Sequence, residues 1–399
     1  MSTSEATTAS ERVRVGVVGL GAVAQAVHLP LLDRLPGQFR ISAIADLSRA
    51  LVDAMGERYR VPTSERHLGI DALLESQAID ALVILTSGSH GAATLAGLDR
   101  GLPVFVEKPL AFTLAEADAI ASRLGTAAVT TSGSQSAGSA RLQVGYMKLH
   151  DPAVLRALEF GAESSGRGPV RSIDVTVLHP TSESQLAHAR LLPPGGDVPA
   201  DLLAQLNRVS DSLVADALGP AAPAIGRLYA NILLGSVVHE LSIIRAFAGD
   251  PVAIDAVDVW PDGVFPPSVA VAGRLSTGGR FTIRWHFLPY YPAYREEVRV
   301  VREGSTIELE FPSPYLLHAP TALRITETDR DDRRDTSFAS VHEAFENELL
   351  AFHRLVVDGT PPRSGLAEGR ADIVTCQRIA ARHAAGLGIA IGGEAATVQ

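Results

Sequence analysis

Through the first 150 residues, short apolar runs alternate with amphipathic stretches. VRVGVVGL (13–20), FRISAIAD (39–46), DALVILT (80–86) and LPVFVEK (102–108) carry few polar positions, as strands do when both faces of a sheet are covered. Helical pattern lies between them. Strands alternating with helices predict a parallel, doubly wound sheet.

The texture changes after Pro152. A helical stretch leads into PVRSIDVTVLHP (169–180), a strand, and then into a long insert with Pro-Pro-Gly-Gly at its middle. The second half of the insert places Leu202, Leu206, Val209 and Leu213 on one helical face. A further helix runs from about Pro223 to Gly249, with Pro251 as a stop. IDAVDVW, SVAVAGRLS, GRFTIRWHF, REEVRVV and STIELEF follow within 252–326, separated by PDG, TGG and REG, and predict an antiparallel sheet. Helical pattern resumes from Ser340 to about Gly386. The expected division is an N-terminal unit over 1–150 with a frayed tail over 1–11, and a C-terminal α+β unit over 151–399 with a helical insert at about 181–250.

Composition narrows the classes. With 399 residues, two domains are expected. Hydrophobic residues make up 46% and charged residues 20%, a soluble balance. No apolar run approaches the roughly 18 residues of a membrane span, so no membrane role is expected. The single cysteine, Cys376, excludes an intramolecular disulfide and suits a reducing cytoplasm. The net charge of −10 argues against a nucleic-acid partner, and the 12 histidines show no metal-ligand spacing.

GLGAVA places Gly19, Gly21 and Ala24 in a G-x-G-x-x-A pattern, with Ala22 and Val23 between. Here the pattern follows a buried strand and opens a helix, the context in which such glycines bind a dinucleotide. Gly19 permits the turn, Gly21 lets a pyrophosphate approach the backbone, and Ala24 keeps the helix close to the sheet. Asp46 ends the second strand, 25 positions after Gly21. Its carboxylate suits ribose hydroxyls and repels a 2′-phosphate, favouring NAD, although Ser48 and Arg49 leave NADP open. Asp46 also suits a helix N-cap in DLSR. Glu107, Lys108 and Pro109 sit at the carboxyl end of a parallel strand, the edge where ligands bind in such sheets.

GLGAVAQAVHLPLL, VILTSGSHGAATLAGLDRGLPVFVEKPLA and VGYMKLHDPAV together resemble the Gfo/Idh/MocA family of dinucleotide-dependent oxidoreductases. The resemblance is close over the first 155 residues and rests on layout beyond them. It implies an N-terminal Rossmann-type doubly wound domain and a second α+β domain with an open, mostly antiparallel sheet. That sheet often forms oligomer contacts in the family, so a homo-oligomer, dimer or tetramer, is expected. The resemblance also implies NAD or NADP as cofactor and a sugar, cyclitol or related polyol as substrate. By position, Thr86, Ser87 and His90 would line the cofactor, Lys108 would hold the substrate hydroxyl, and Tyr146 and Lys148 would sit near nicotinamide or substrate. His90 also suits a helix start, and Lys148 a surface charge.

In many members of that family one helix carries D-x-x-x-H followed by a further acid, and the histidine takes the hydroxyl proton. Here GSVVHELS gives His239, but Gly235 stands at the aspartate's position and Ser242 at the later acid's. Ser236 and Asn231 share the helix face of His239, whereas Glu240 points elsewhere. A histidine without its carboxylate still acts as a base, though a weaker one, and a core histidine is the competing reading. His179 is a further candidate for the pocket, with Tyr290 and Tyr291 less favoured. The leading expectation is hydride transfer at a secondary alcohol or ketone of a sugar, cyclitol or glycoside. Two other readings stay open: a redox-neutral enzyme with retained NAD, and a non-catalytic dinucleotide-binding regulator.

Overall fold

Six strands form the first sheet: β1 (Val13–Val18), β2 (Phe39–Asp46), β3 (Arg66–Leu68), β4 (Ala81–Ile84), β5 (Val104–Glu107) and β6 (Leu142–Gly145). They pair in parallel in the order β3-β2-β1-β4-β5-β6. This doubly wound order reverses between β1 and β4 and opens a crevice at their carboxyl ends. The four apolar runs of the sequence supply β1, β2, β4 and β5. Neither β3 nor β6 is marked in the pattern, because β3 is three residues, RHL, and Gln143 interrupts the apolar run of β6, LQVG. This computed structural model describes residues 12–125, 141–163, 168–193, 196–220, 223–329 and 332–398, so the expected tail over 1–11 lies outside the described residues.

The second sheet contains β7 (Ser172–His179), β8 (Pro251–Trp260), β9 (Ser268–Leu275), β10 (Arg280–Phe287), β11 (Arg295–Val301), β12 (Ser305–Phe311), β13 (Ala322–Asp329) and β14 (Asp332–Phe338). Its order is β14-β13-β12-β11-β7-β10-β9-β8, antiparallel except where β7 runs parallel to β10. Burial alternates along β11 and β12, so one face joins the core while the other meets solvent. The polar edge strand β14 has no hydrophobic alternation to betray it and is set by pairing with β13.

The helix that carries GSVVHELS runs from Pro223 to Ala248, with π-helical geometry from Leu228 to Val237. Over 26 residues it is long and apolar enough to cross a membrane, which corrects the expectation that no such stretch exists. Its apolar residues are spent on the interior: Ile232, Leu233, Val237, Leu241 and Ile244 pack with Val175, Ile283 and Val300 of the second sheet. The helix of the insert, Ala200–Leu218, buries only Ala217 and Leu218, and leaves Leu206 and Val209 exposed. The C-terminal helical region is two helices, Ala344–Asp358 and Leu366–Gly386. The first returns to the parallel sheet, where Phe345, Leu349, Phe352 and Leu355 share a core with Val15, Val17 and Phe105.

Candidate active site

The turn after β1 is built as a dinucleotide cradle requires. Gly19 has φ +90°, and a Cβ there would lie 2.7 Å from the carbonyl carbon of Leu85 and the amide nitrogen of Thr86. Only glycine fits. A Cβ on Gly21 would meet nothing within 4 Å, so this backbone faces open space at the sheet's carboxyl edge. Ala24 is buried and begins a π-helical turn, Ala24–His28, that leads into the helix Leu29–Arg34. Ala22 stays exposed beside the cleft. These features fit a bound pyrophosphate.

Asp46 ends β2 beside the glycine turn. Its carboxylate accepts from the backbone N–H of Leu20 (2.7 Å) and of Ser48 (2.9 Å), which holds it against the glycine turn. The following helix, Arg49–Arg58, is capped by Ser48, whose hydroxyl accepts from Leu51 N–H (3.2 Å). Asp46 is therefore not the N-cap that DLSR also allowed. Leu192 and Asp197, from the insert, bond to residues at this end of the cleft. Leu192 exchanges two hydrogen bonds with the Gln25 side chain, and Asp197 accepts from Ser48 Oγ (2.7 Å) and Ala50 N–H (2.9 Å). No sequence pattern joins residues this far apart along the chain.

A cavity of about 340 Å³ lies between the loops of the parallel sheet and the GSVVHELS helix. Val23, Thr86, Ser87 and Gly88 line it from one side, and Asn231, Gly235 and His239 from the other. Glu107, Lys108 and His90 also line it, as does Tyr315, which the sequence did not single out. Volume and lining are those of a small-molecule site. His90 precedes the helix Gly91–Asp99 and bridges two backbone carbonyls with its ring, Thr86 (2.8 Å) and Pro109 (2.6 Å). It thereby ties the ends of β4 and β5 together as well as lining the cavity.

Glu107 pairs with buried His28 (2.8 Å). Burial pushes its carboxyl up, but the imidazole of His28 and the charge of Lys108 outweigh that and hold it below the usual range. The Lys108 ammonium donates to the carbonyl of Gly235 (2.5 Å). Burial, with Lys148 nearby, lowers its pKa against the opposing pull of Glu107 and Glu240. His239 is driven further. Burial, then Lys108, then Lys148 hold its imidazole well below the ordinary histidine value, so it is neutral at neutral pH. Its Nδ1 is buried without a partner among the described residues, which leaves Nε2 as the nitrogen available to the cavity.

Gly235 leaves room at the position of the absent carboxylate, since a Cβ would meet only the carbonyl of Ala230 at 3.6 Å. Ser236 is occupied by Trp285, whose indole N–H donates to its hydroxyl (2.9 Å). Ser242 donates to the carbonyl of His239 (2.7 Å). The π-helical stretch ends one residue before Val238, and such irregular turns recur where helices carry function.

Three residues expected at the pocket sit elsewhere. Tyr146 is fully buried and does not line the cavity; its hydroxyl donates to Asp372, which also binds Arg245. Its aromatic bulk directs it to the core, where a charged network satisfies the hydroxyl. Lys148 is no surface charge. Its ammonium is buried between Glu240 (3.2 Å) and Glu296, and Tyr294 donates to the same Glu296 (2.6 Å). Glu240 thus points away from the cavity into this cluster, which is adjacent to His239 and unmarked in the sequence. His179 donates its Nδ1–H to the carbonyl of Pro180 (2.6 Å) and packs against Trp285 and Tyr294, outside the cavity lining. Tyr290 is 98% exposed and Tyr291 is half-buried, and neither borders the cavity.

Residues 13–132 match an oxidoreductase family described by its NAD-binding Rossmann fold. The chain is 29% identical over 155 residues to inositol 2-dehydrogenase of Paracoccus denitrificans, covering 39% of this chain and 43% of that protein. It thus spans less than half the length of such curated relatives. Two solved structures share the fold over nearly the whole chain. The aldose-aldose oxidoreductase of Caulobacter crescentus, complexed with glycerol, has a TM-score of 0.69 at 16% identity and covers 94% of this chain and 98% of its own. A 3-ketoreductase of Actinomadura kijaniata, in complex with TDP-benzene and NADP, has a TM-score of 0.65 at 17% identity, with 92% and 96% covered.

Proposed function

We propose that this chain, whose residues 13–132 match the Gfo/Idh/MocA oxidoreductase family, transfers hydride between NAD(P) and a secondary alcohol or ketone of a sugar, cyclitol or glycoside. One observation carries this reading: Lys108 and His239 border one cavity together with the loops Thr86–Gly88 beside the glycine cradle. Gly21, Val23 and Ser87 would hold the dinucleotide, which supplies or takes up hydride when bound. The residues of the chain handle the oxygen and its proton. The Lys108 ammonium, anchored on the Gly235 carbonyl, stabilises charge developing on the substrate oxygen. The Nε2 of neutral His239 accepts the hydroxyl proton during oxidation and returns it during reduction. Both groups have depressed pKa values, as matched acid–base pairs in closed sites do.

A panel of sugars, cyclitols and glycosides with NAD and NADP, followed at 340 nm, tests the proposal. Turnover of at least one member that is lost in Lys108→Ala supports it. Tight dinucleotide binding with no conversion of any member, by absorbance or by product analysis, would sink it and favour a regulator. The segment held at Gln25, Ser48 and Ala50 favours a second reading, redox-neutral turnover on a retained cofactor. Product formation without net absorbance change, by protein whose cofactor survives dialysis, distinguishes that reading. We further read the protein as a cytoplasmic homo-oligomer that uses the open sheet for assembly.

A further inference from the structure

The start of the helix Arg49–Arg58 has the parts of a phosphate site. The Ser48 hydroxyl and the Ala50 N–H converge there, Arg49 follows the cap, and the helix dipole adds positive potential. In a doubly wound dinucleotide fold the acidic residue that ends the second strand lies at the ribose 2′ position. A 2′-phosphate next to Asp46 would therefore fall among these donors. They are already taken. Asp197, from the insert, accepts 2.7 Å from Ser48 Oγ and 2.9 Å from Ala50 N–H.

We propose that Asp197 is a specificity-determining residue of the cofactor site: its carboxylate stands in for a 2′-phosphate and excludes NADP while admitting NAD. The inference rests on the dinucleotide reading of this cleft and deepens it. Two carboxylates, Asp46 and Asp197, then flank the ribose 2′ position. A phosphate dianion would have to displace one and meet the repulsion of both, whereas a hydroxyl can donate to either. The Asp197 carboxyl is held below its ordinary pKa, first by the Ala50 N–H and then by the Ser48 hydroxyl, so it is charged across the neutral range. Asp197 is exposed and is held by these two hydrogen bonds. Leu192, five residues earlier, is independently held by paired hydrogen bonds to Gln25. Asp46 could be identified from its distance to the glycines; Asp197 could not, because it reaches the site from a remote part of the chain.

Calorimetric titration of the full chain with NAD and NADP tests the proposal, using wild type, Asp197→Ala, Asp197→Asn and Asp201→Asn. Asp201 is an exposed acid on the neighbouring helix, so its variant controls for net charge. The expected wild-type preference is for NAD. Both Asp197 variants should narrow the NAD-to-NADP affinity ratio by about tenfold or more, chiefly by strengthening NADP, because like-charge juxtaposition is removed. Asp201→Asn should leave the ratio unchanged. A segment that served only as a structural tether would alter the melting temperature without moving the ratio, and that result overturns the inference. Wild-type preference for NADP also overturns it. Should wild type bind neither dinucleotide, the reading beneath it falls as well, which separates the two failures.

Discussion

The Lys108 ammonium reaches across the cleft to the backbone carbonyl of Gly235, 2.5 Å away. One hydrogen bond thus joins the carboxyl edge of the parallel sheet to the helix of His239. It sets the lysine's position before any substrate arrives, and it uses a carbonyl rather than the carboxylate that the family motif would place nearby. Lys108→Ala should lower turnover by about 10² or more, while the melting temperature falls by only a few degrees, since one hydrogen bond is lost. Steady-state kinetics and calorimetric melting on the same preparation check this. Near-normal turnover would remove Lys108 from the chemistry.

Gly19 and Gly21 should respond differently to a side chain. Gly21→Val has space for its side chain in the folded protein, yet that space is where a pyrophosphate must lie. It should fold and lose NAD binding in calorimetry. Gly19→Ala meets the backbone of Leu85 and Thr86 at a positive φ, so it should destabilise the fold itself. Equal melting temperatures for the two variants would contradict this assignment.

His239→Ala should abolish activity with dinucleotide affinity intact. In Gly235→Asp, the new carboxylate enters open space and stabilises the imidazolium form of His239 against burial and the two lysines. The acidic limb of its pH–rate profile should therefore move to higher pH. Bulk at position 235 should also narrow the range of accepted substrates. A profile identical to wild type would show that another group carries the proton.

The buried cluster of Lys148, Glu240 and Glu296 makes a stability prediction. Burial, with Glu296 adding repulsion and Lys148 opposing, raises Glu240 from 4.5 to about 7. The folded state then holds this proton more tightly than the unfolded state, so stability is lost as pH rises from 4.5 to about 7. Glu240→Gln should flatten that dependence in denaturant titrations at pH 5 and pH 8. Lys148→Met should be destabilising by about 3–5 kcal/mol, because two buried carboxyls lose the cation between them. A loss below about 1 kcal/mol would show that water reaches the cluster.

A family resemblance, not local pattern, pointed to roles for Lys108 and His239; the parallel sheet and the glycine turn were legible in the order of residues alone. Those depend on local causes: an apolar run long enough to be buried on both faces, a turn that tolerates only glycine, a helix with two defined ends. Neither β3, with only three residues, nor β6, whose run is broken by Gln143, could be read this way, nor could β14, whose polar residues become a strand through pairing with β13. Neighbours in sequence also part company. Tyr146 turns to Asp372 in the core, while Lys148 turns to Glu240 and Glu296 beside the site. These partners emerge from the folded chain, as do the approach of Asp197 to Ser48 and of Lys108 to Gly235. A side chain's charge state and hydrogen bonds are set by whatever the fold packs against it, and those groups come from segments far away along the chain.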